Sequence, residues 1–307
     1  MLQIFVITFP FFALVLCGYL AARRHMLPLE AIPGLNGFVL FFALPCMLYR
    51  FGADTPIGQL LDVGVFVTWL GCSLITVGFI VAVSLNARIG WNDASFGALV
   101  GAFPNSGFMG VPLLVALLGA QSAGPVILTM MIDMIVVTSL CIALSRLDGA
   151  DQHGAAKALK KALKGVLANP MPWAILLGAL VSVVGWEPPR PVALFTIGAV
   201  LARAQMLAKA GHATVPLVRD YLPVALFKLF VHPLLVLLVG AALISQGLPL
   251  SRFALTVIVL TAALPSASNV SLLAERFGAD NGRIARIILV STAAAFLTFS
   301  LAVALMV

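Results

Sequence analysis

Long apolar stretches separated by short polar ones recur along the whole chain. A helix that crosses a bilayer needs about 20 apolar residues. On that ruler the pattern predicts ten helical segments: Leu2–Ala22, Ile32–Leu48, Asp62–Leu85, Ala94–Leu118, Pro125–Leu144, Pro170–Val184, Pro191–Leu207, Leu222–Ile244, Ser251–Leu273 and Ile284–Met306. They are numbered one to ten in chain order. Segment seven is the least regular. Its clean apolar run stops before Arg203, so spanning requires a tilt or a snorkelling arginine.

The polar stretches set the expected orientation. With the N-terminus outside, the loops after segments one, three, five, seven and nine face the cytoplasm and hold 14 of the 18 lysines and arginines. Arg50, Arg190 and Arg252 fall on the opposite side, and Lys228 lies within segment eight. Basic residues concentrate on cytoplasmic loops, so both termini are expected outside. The longest loop, Arg146–Asn169, carries a short basic amphipathic stretch at 155–164. It reads as a solvated linker, with adsorption on the anionic inner leaflet as the other reading.

Composition sharpens this picture. Hydrophobic residues make up 62% of the 307 and charged residues 9%, with a mean hydropathy of +1.13. Ordinary soluble domains carry about 25% charged residues. A soluble globular protein, a disordered chain and a secreted disulfide scaffold are therefore excluded. The net charge of +7 reports topology rather than a nucleic-acid partner. Cys17, Cys46, Cys72 and Cys141 lie in apolar runs and read as buried free thiols. There is no Gly-Lys pair for a phosphate-binding loop, no His-Glu-x-x-His, no Cys-x-x-Cys and no Gly-x-Ser-x-Gly. No catalytic residue, metal ligand or cofactor is assigned, and an enzyme is not expected.

Shifted by about 160 residues, the two halves superpose. Ala102-Phe103-Pro104-Asn105-Ser106 in segment four meets Ala263-Leu264-Pro265-Ser266-Ala267 in segment nine. Further on, Leu118-Gly119-Ala120 meets Phe277-Gly278-Ala279. Five helices are an odd number, so the second copy must run through the membrane inverted. The expected organisation is a first repeat over residues 1–145, a cytoplasmic linker over 146–169 and an inverted repeat over 170–307. Inverted repeats let a central site open to one side and then the other, which points to a transporter.

Segments four and nine each carry a break near mid-membrane. Proline removes a backbone donor and clashes with the preceding turn. The polar residues around it, Asn105 and Ser106 in one half and Ser266, Ser268 and Asn269 in the other, favour an unwound stretch. Unwound backbone at that depth survives only against protein or a water-filled cavity. A half-helix beginning there offers free N–H groups and a positive dipole end. Two such ends suit a small anion, and these side chains bring hydrogen bonds without permanent charge.

Charged groups inside spans are few, and each is a site hypothesis. Asp133 falls near the middle of segment five. It reads either as a protonatable coupling group or as a structural acid. Lys228 lies close enough to a helix end to snorkel. His232 reads as a packed, neutral histidine. Asn36 and Gln205 have no pattern that fixes their direction.

Pro104-Asn105 followed by Met109-Gly110-Val111-Pro112, and Ala262-Ala263-Leu264-Pro265 followed by Ala274-Glu275, make the chain similar to the auxin efflux carrier family over essentially its whole length. That resemblance implies an all-α integral membrane fold of ten transmembrane helices, with a scaffold domain beside a transport domain in which broken helices four and nine cross. It implies that substrate carboxylates bind at the crossing. The role falls on Pro104, Asn105 and Pro265, with Ser106, Ser266, Ser268 and Asn269 beside them. The residues after Pro265 depart from the plant pattern, and the central loop is short. Both point to a bacterial carrier of malonate-like dicarboxylates in the inner membrane. Coupling to H+ or Na+ stays open, and a homodimer is suggested by analogy. The alternative reading is a sodium/proton antiporter or sodium-coupled symporter on the same type of fold, which usually places acids beside the crossing.

Overall fold

The computed structural model describes residues 2–24, 38, 42, 44–55, 58, 61–147, 170–184 and 217–307. Among these the fold is helical, and the only extended pairing is a single two-residue bridge. The helices are α1 (Leu2–Arg23), α2 (Leu44–Asp54), α3 (Val63–Ser84), α4 (Trp91–Ala102), α5 (Val111–Leu118), α6 (Ala123–Ile132), α7 (Thr138–Leu144), α8 (Pro170–Val184), α9 (Val218–Leu226), α10 (His232–Ser245), α11 (Arg252–Ala263), α12 (Val270–Phe277) and α13 (Asn281–Met306). Three π-helical turns interrupt them: Ser106–Gly110 before α5, Asp133–Val137 between α6 and α7, and Phe227–Val231 between α9 and α10.

Among the described residues four continuous stretches are long and apolar enough to cross a bilayer: Val63–Ser84, Ala120–Leu144, Val218–Ser245 and Asn281–Met306. They correspond to predicted segments three, five, eight and ten. Their faces explain the composition. On α3, Val65, Trp69, Cys72 and Thr76 are buried while Phe66, Ile75, Phe79 and Val83 are exposed. A helix that is apolar on its outer as well as its inner face belongs in lipid. Helix starts are set by side-chain caps. Asp62, Ser251 and Asp280 accept from the N–H of Val65, Ala254 and Arg283.

Segments four and nine are split, as the prolines require. Segment four becomes α4, an extended Phe103-Pro104, a bend at Asn105, the first π turn and α5. Segment nine becomes α11, an irregular 264–269 and α12. The halves match in length: α4 and α11 have 12 residues each, α5 and α12 have 8. Each second half also ends at a glycine with positive φ, Gly119 at 87° and Gly278 at 72°, a conformation that spares glycine the Cβ clash.

Other expectations shift. The end of segment two lies in α2, which runs past Leu48 to Asp54. Cys72 and Cys141 are buried, but Cys46 is half-buried and Cys17 is exposed on the apolar outer surface, so the reading of four buried thiols is corrected. Segment seven, Asn36, Gln205 and residues 148–169 of the linker lie outside the described residues.

At one end of the bundle the starts of α4, α9 and α13 are tied together. Arg283, 3% exposed, donates from Nε to the Asp220 carbonyl at 2.7 Å and from Nη1 to the Asp93 carbonyl at 2.8 Å. The Asp93 carboxylate accepts the Asp280 N–H at 2.7 Å, and Arg88 pairs with Asp220 at 2.9 Å. Gly97 makes room for the guanidinium, since a Cβ there would lie 2.8 Å from Nη1.

Candidate functional site

The two breaks meet. The Asn105 N–H donates to the Pro265 carbonyl at 2.8 Å, and the Ala267 N–H donates to the Phe103 carbonyl at 2.9 Å. These bonds form an antiparallel bridge between Pro104 and Ser266. Prolines cannot donate, so each break supplies the donor from the residue beside or beyond its proline. The crossing thus satisfies buried backbone that neither half satisfies alone.

Beyond the bridge, each second half-helix starts with donors to spare. The Asn105 carbonyl accepts from both Met109 and Gly110 at 3.0 Å, and the Ser106 N–H turns back to the Pro104 carbonyl at 2.8 Å. Asn105 provides no side-chain cap to the turn that follows it. Neither the Gly107 nor the Asn269 N–H joins a backbone hydrogen bond among the described residues. The first N–H groups of a helix have no intrahelical acceptor and carry its positive dipole end.

Gly107 and Asn269 border the same recess. Its polar wall is Asn105, Ser106 and Asn269, and its apolar wall is Phe103, Phe108, Met130 and Met134, with Pro104 and Ala267 at the bridge. Among the described residues no ionisable side chain lines it. The Asn269 Oδ1 has no partner among the described residues. Rotating that amide about its terminal bond presents the NH2 instead. The enclosed space is small, about 20 Å³, enough for about one water molecule. A dicarboxylate needs the walls to move apart.

The predicted site residues divide by position. Pro104, Asn105, Ser106 and Asn269 line the recess. Pro265 and Ser266 hold the bridge from behind, where the Ser266 N–H donates to Ser291 Oγ at 3.2 Å and the Ser266 hydroxyl has no partner among the described residues. Ser268 is half-buried at the start of α12, where its carbonyl accepts the Ser271 hydroxyl at 2.8 Å. Asp133 is not in the lining. It is fully buried and accepts the Trp69 indole N–H at 2.9 Å.

Lys228 corrects its expectation. It does not snorkel. It is fully buried and donates to the Ala262 carbonyl at 2.7 Å, with His232 Nδ1 3.1 Å away. An acceptor at a half-helix C-terminus holds the ammonium inside more firmly than the stem can carry it out. Met130, Met134 and Phe108 were not legible as site residues. Only the four-residue spacing of the methionines around Asp133 hints that this face turns inward.

A family model described as "Membrane transport protein" matches residues 3–303. A Rhizobium meliloti (strain 1021) protein named "Putative malonate transporter" is 27% identical over 307 residues, covering 95% of this chain and 92% of its own. An Escherichia coli (strain K12) protein named "Uncharacterized transporter YfdV" is 26% identical over 300 residues, covering 87% of this chain and 86% of its own.

Proposed function

The chain belongs to the membrane transport protein family, a family of transporters and not of enzymes, and from that premise we propose that it is a secondary carrier of a small organic anion, a carboxylate of the malonate type. The carrying observation is the pair of N–H groups, Gly107 and Asn269, that have no backbone partner among the described residues and border one recess from the two broken helices. Donors from helix N-termini favour negative charge. A recess lined, among the described residues, by no cation suits an anion that must also leave. The malonate-type substrate is further supported by the printed name of the Rhizobium meliloti relative.

Alternating access follows from the same parts. The matched lengths of α4 and α11 and of α5 and α12 support two inverted repeats, residues 1–145 and 170–307, joined by the linker 146–169. A recess too small for a dicarboxylate fits a state closed to both sides. The charge bias of the loops supports a bacterial inner membrane with both termini outside. The antiporter alternative is less well supported, because among the described residues no acid lines the recess and Asp133 is turned to Trp69.

Uptake of labelled malonate into vesicles holding the purified carrier tests the reading. Saturable uptake, blocked by other short dicarboxylates, is expected. Vesicles that take up no carboxylate but exchange sodium for protons contradict it.

A further inference from the structure

A buried polar chain runs behind the recess. Asp133 opens the π turn after α6 at full burial. Its Oδ1 takes the Trp69 N–H, and its Oδ2 has no partner among the described residues. The Trp69 ring lies 5.5 Å from the His232 ring. His232 Nδ1 meets Lys228 Nζ at 3.1 Å, and its Nε2 has no partner among the described residues. Lys228 then donates to the carbonyl of Ala262, the second-last residue of α11. The chain therefore ends on the half-helix that runs into the crossing.

Two features separate this chain from ordinary core filling. Buried charges are costly, and apolar side chains of similar volume commonly do as well or better. Here an acid and an amine are both kept at zero exposure, linked through two rings instead of a direct ion pair. Second, the amine sits where crossover carriers bind coupling ions. Carbonyls at half-helix C-terminal ends coordinate Na+ or H+ in such folds, and here the protein's own ammonium holds that carbonyl.

We propose that this chain is the proton-coupling element of the carrier, in which Asp133 takes up one proton when a carboxylate occupies the crossing and gives it up when the carboxylate leaves. The proposal rests on the carboxylate-carrier reading above. With Asp133 ionised and Lys228 charged, the chain is neutral, and an arriving anion leaves the low-dielectric centre net negative. A proton on Asp133 leaves Lys228 as an uncompensated positive charge, which offsets one of the negative charges that the carboxylate brings in. The proton comes from the water on the side where the anion enters and departs with it on the other. Among the described residues, the ionisable groups that act on Asp133 are Lys228 on the Val218–Ser245 stretch and Cys141 on α7, with His232 on the far side of Trp69. Among the described residues no second carboxyl acts on it.

The test uses purified carrier in vesicles that enclose a pH-sensitive dye, with malonate as the probe. In the wild type an inward proton gradient is expected to drive malonate accumulation and to acidify the lumen. Replacing sodium by choline is expected to change accumulation by less than about twofold. Asp133→Asn keeps an acceptor for Trp69. It is expected to retain malonate counterflow within about threefold, while gradient-driven accumulation falls about tenfold or more and acidification is lost. Accumulation by Asp133→Asn equal to wild type overturns the proposal. So does wild-type accumulation that requires sodium or proceeds without acidification, and these two arms decide the matter even where the variant does not fold. Absence of malonate counterflow in the wild type is a separate failure, which overturns the carrier reading beneath it.

Discussion

Asn105 holds the crossing together from both sides. Its N–H reaches across to Pro265, its carbonyl receives Met109 and Gly110, and its side chain borders the recess. Asn105→Ala preserves the backbone bonds and removes only the amide. Malonate uptake is expected to fall about tenfold, the worth of one hydrogen bond to a charged group, with thermal stability near wild type in a detergent melt. Arg283 has the opposite profile. Arg283→Met leaves the Asp93 and Asp220 carbonyls without their donors and costs about 3 kcal/mol, read as a lowered melting temperature with no selective loss of malonate affinity. The line between legible and hidden residues follows polarity. Asn105, Ser106 and Asn269 stand out because polar residues beside a proline at bilayer depth are costly without a purpose. Met130 and Met134 look the same in sequence whether they face lipid or the recess. Lys228 near a helix end reads as a snorkelling residue until the Ala262 carbonyl is placed beside it.

At the scale of elements, two kinds of contact carry the arrangement. The first is the bridge between the breaks. Ala267→Pro deletes the N–H that donates to Phe103 and changes no group of the recess wall that contacts substrate through a side chain. Transport is expected to fall below detection while the protein still reaches the membrane, as measured by uptake against surface labelling. The second is the close packing of α2 on α8. A Cβ on Gly178 would collide with the Tyr49 carbonyl oxygen, and one on Gly52 would lie 2.9 Å from the Ile175 carbonyl oxygen. Small residues are what let helices approach this closely in lipid. Gly178→Val is expected to lower the melting temperature of the purified protein. Apolar length located segments three, five, eight and ten well, because a bilayer demands it. The breaks were visible through Pro104 and Pro265. Their bridge was not, since backbone hydrogen bonds between segments 160 residues apart leave no mark on side-chain pattern.

The whole molecule combines an apolar exterior with a narrow polar centre. Exposed Phe66, Phe79, Leu238 and Leu297 face outward, while Gly107 and Asn269, beside the starts of two half-helices, border a recess of about 20 Å³. A carrier needs that closure between its two open states, so ligand must shift the population of conformers. The most direct measurement is a density map of the purified carrier saturated with malonate. The account predicts a carboxylate in the widened recess, its oxygens about 3 Å from the Gly107 and Asn269 nitrogens. Malonate bound elsewhere, with both N–H groups facing empty space or closed against protein carbonyls, would contradict it.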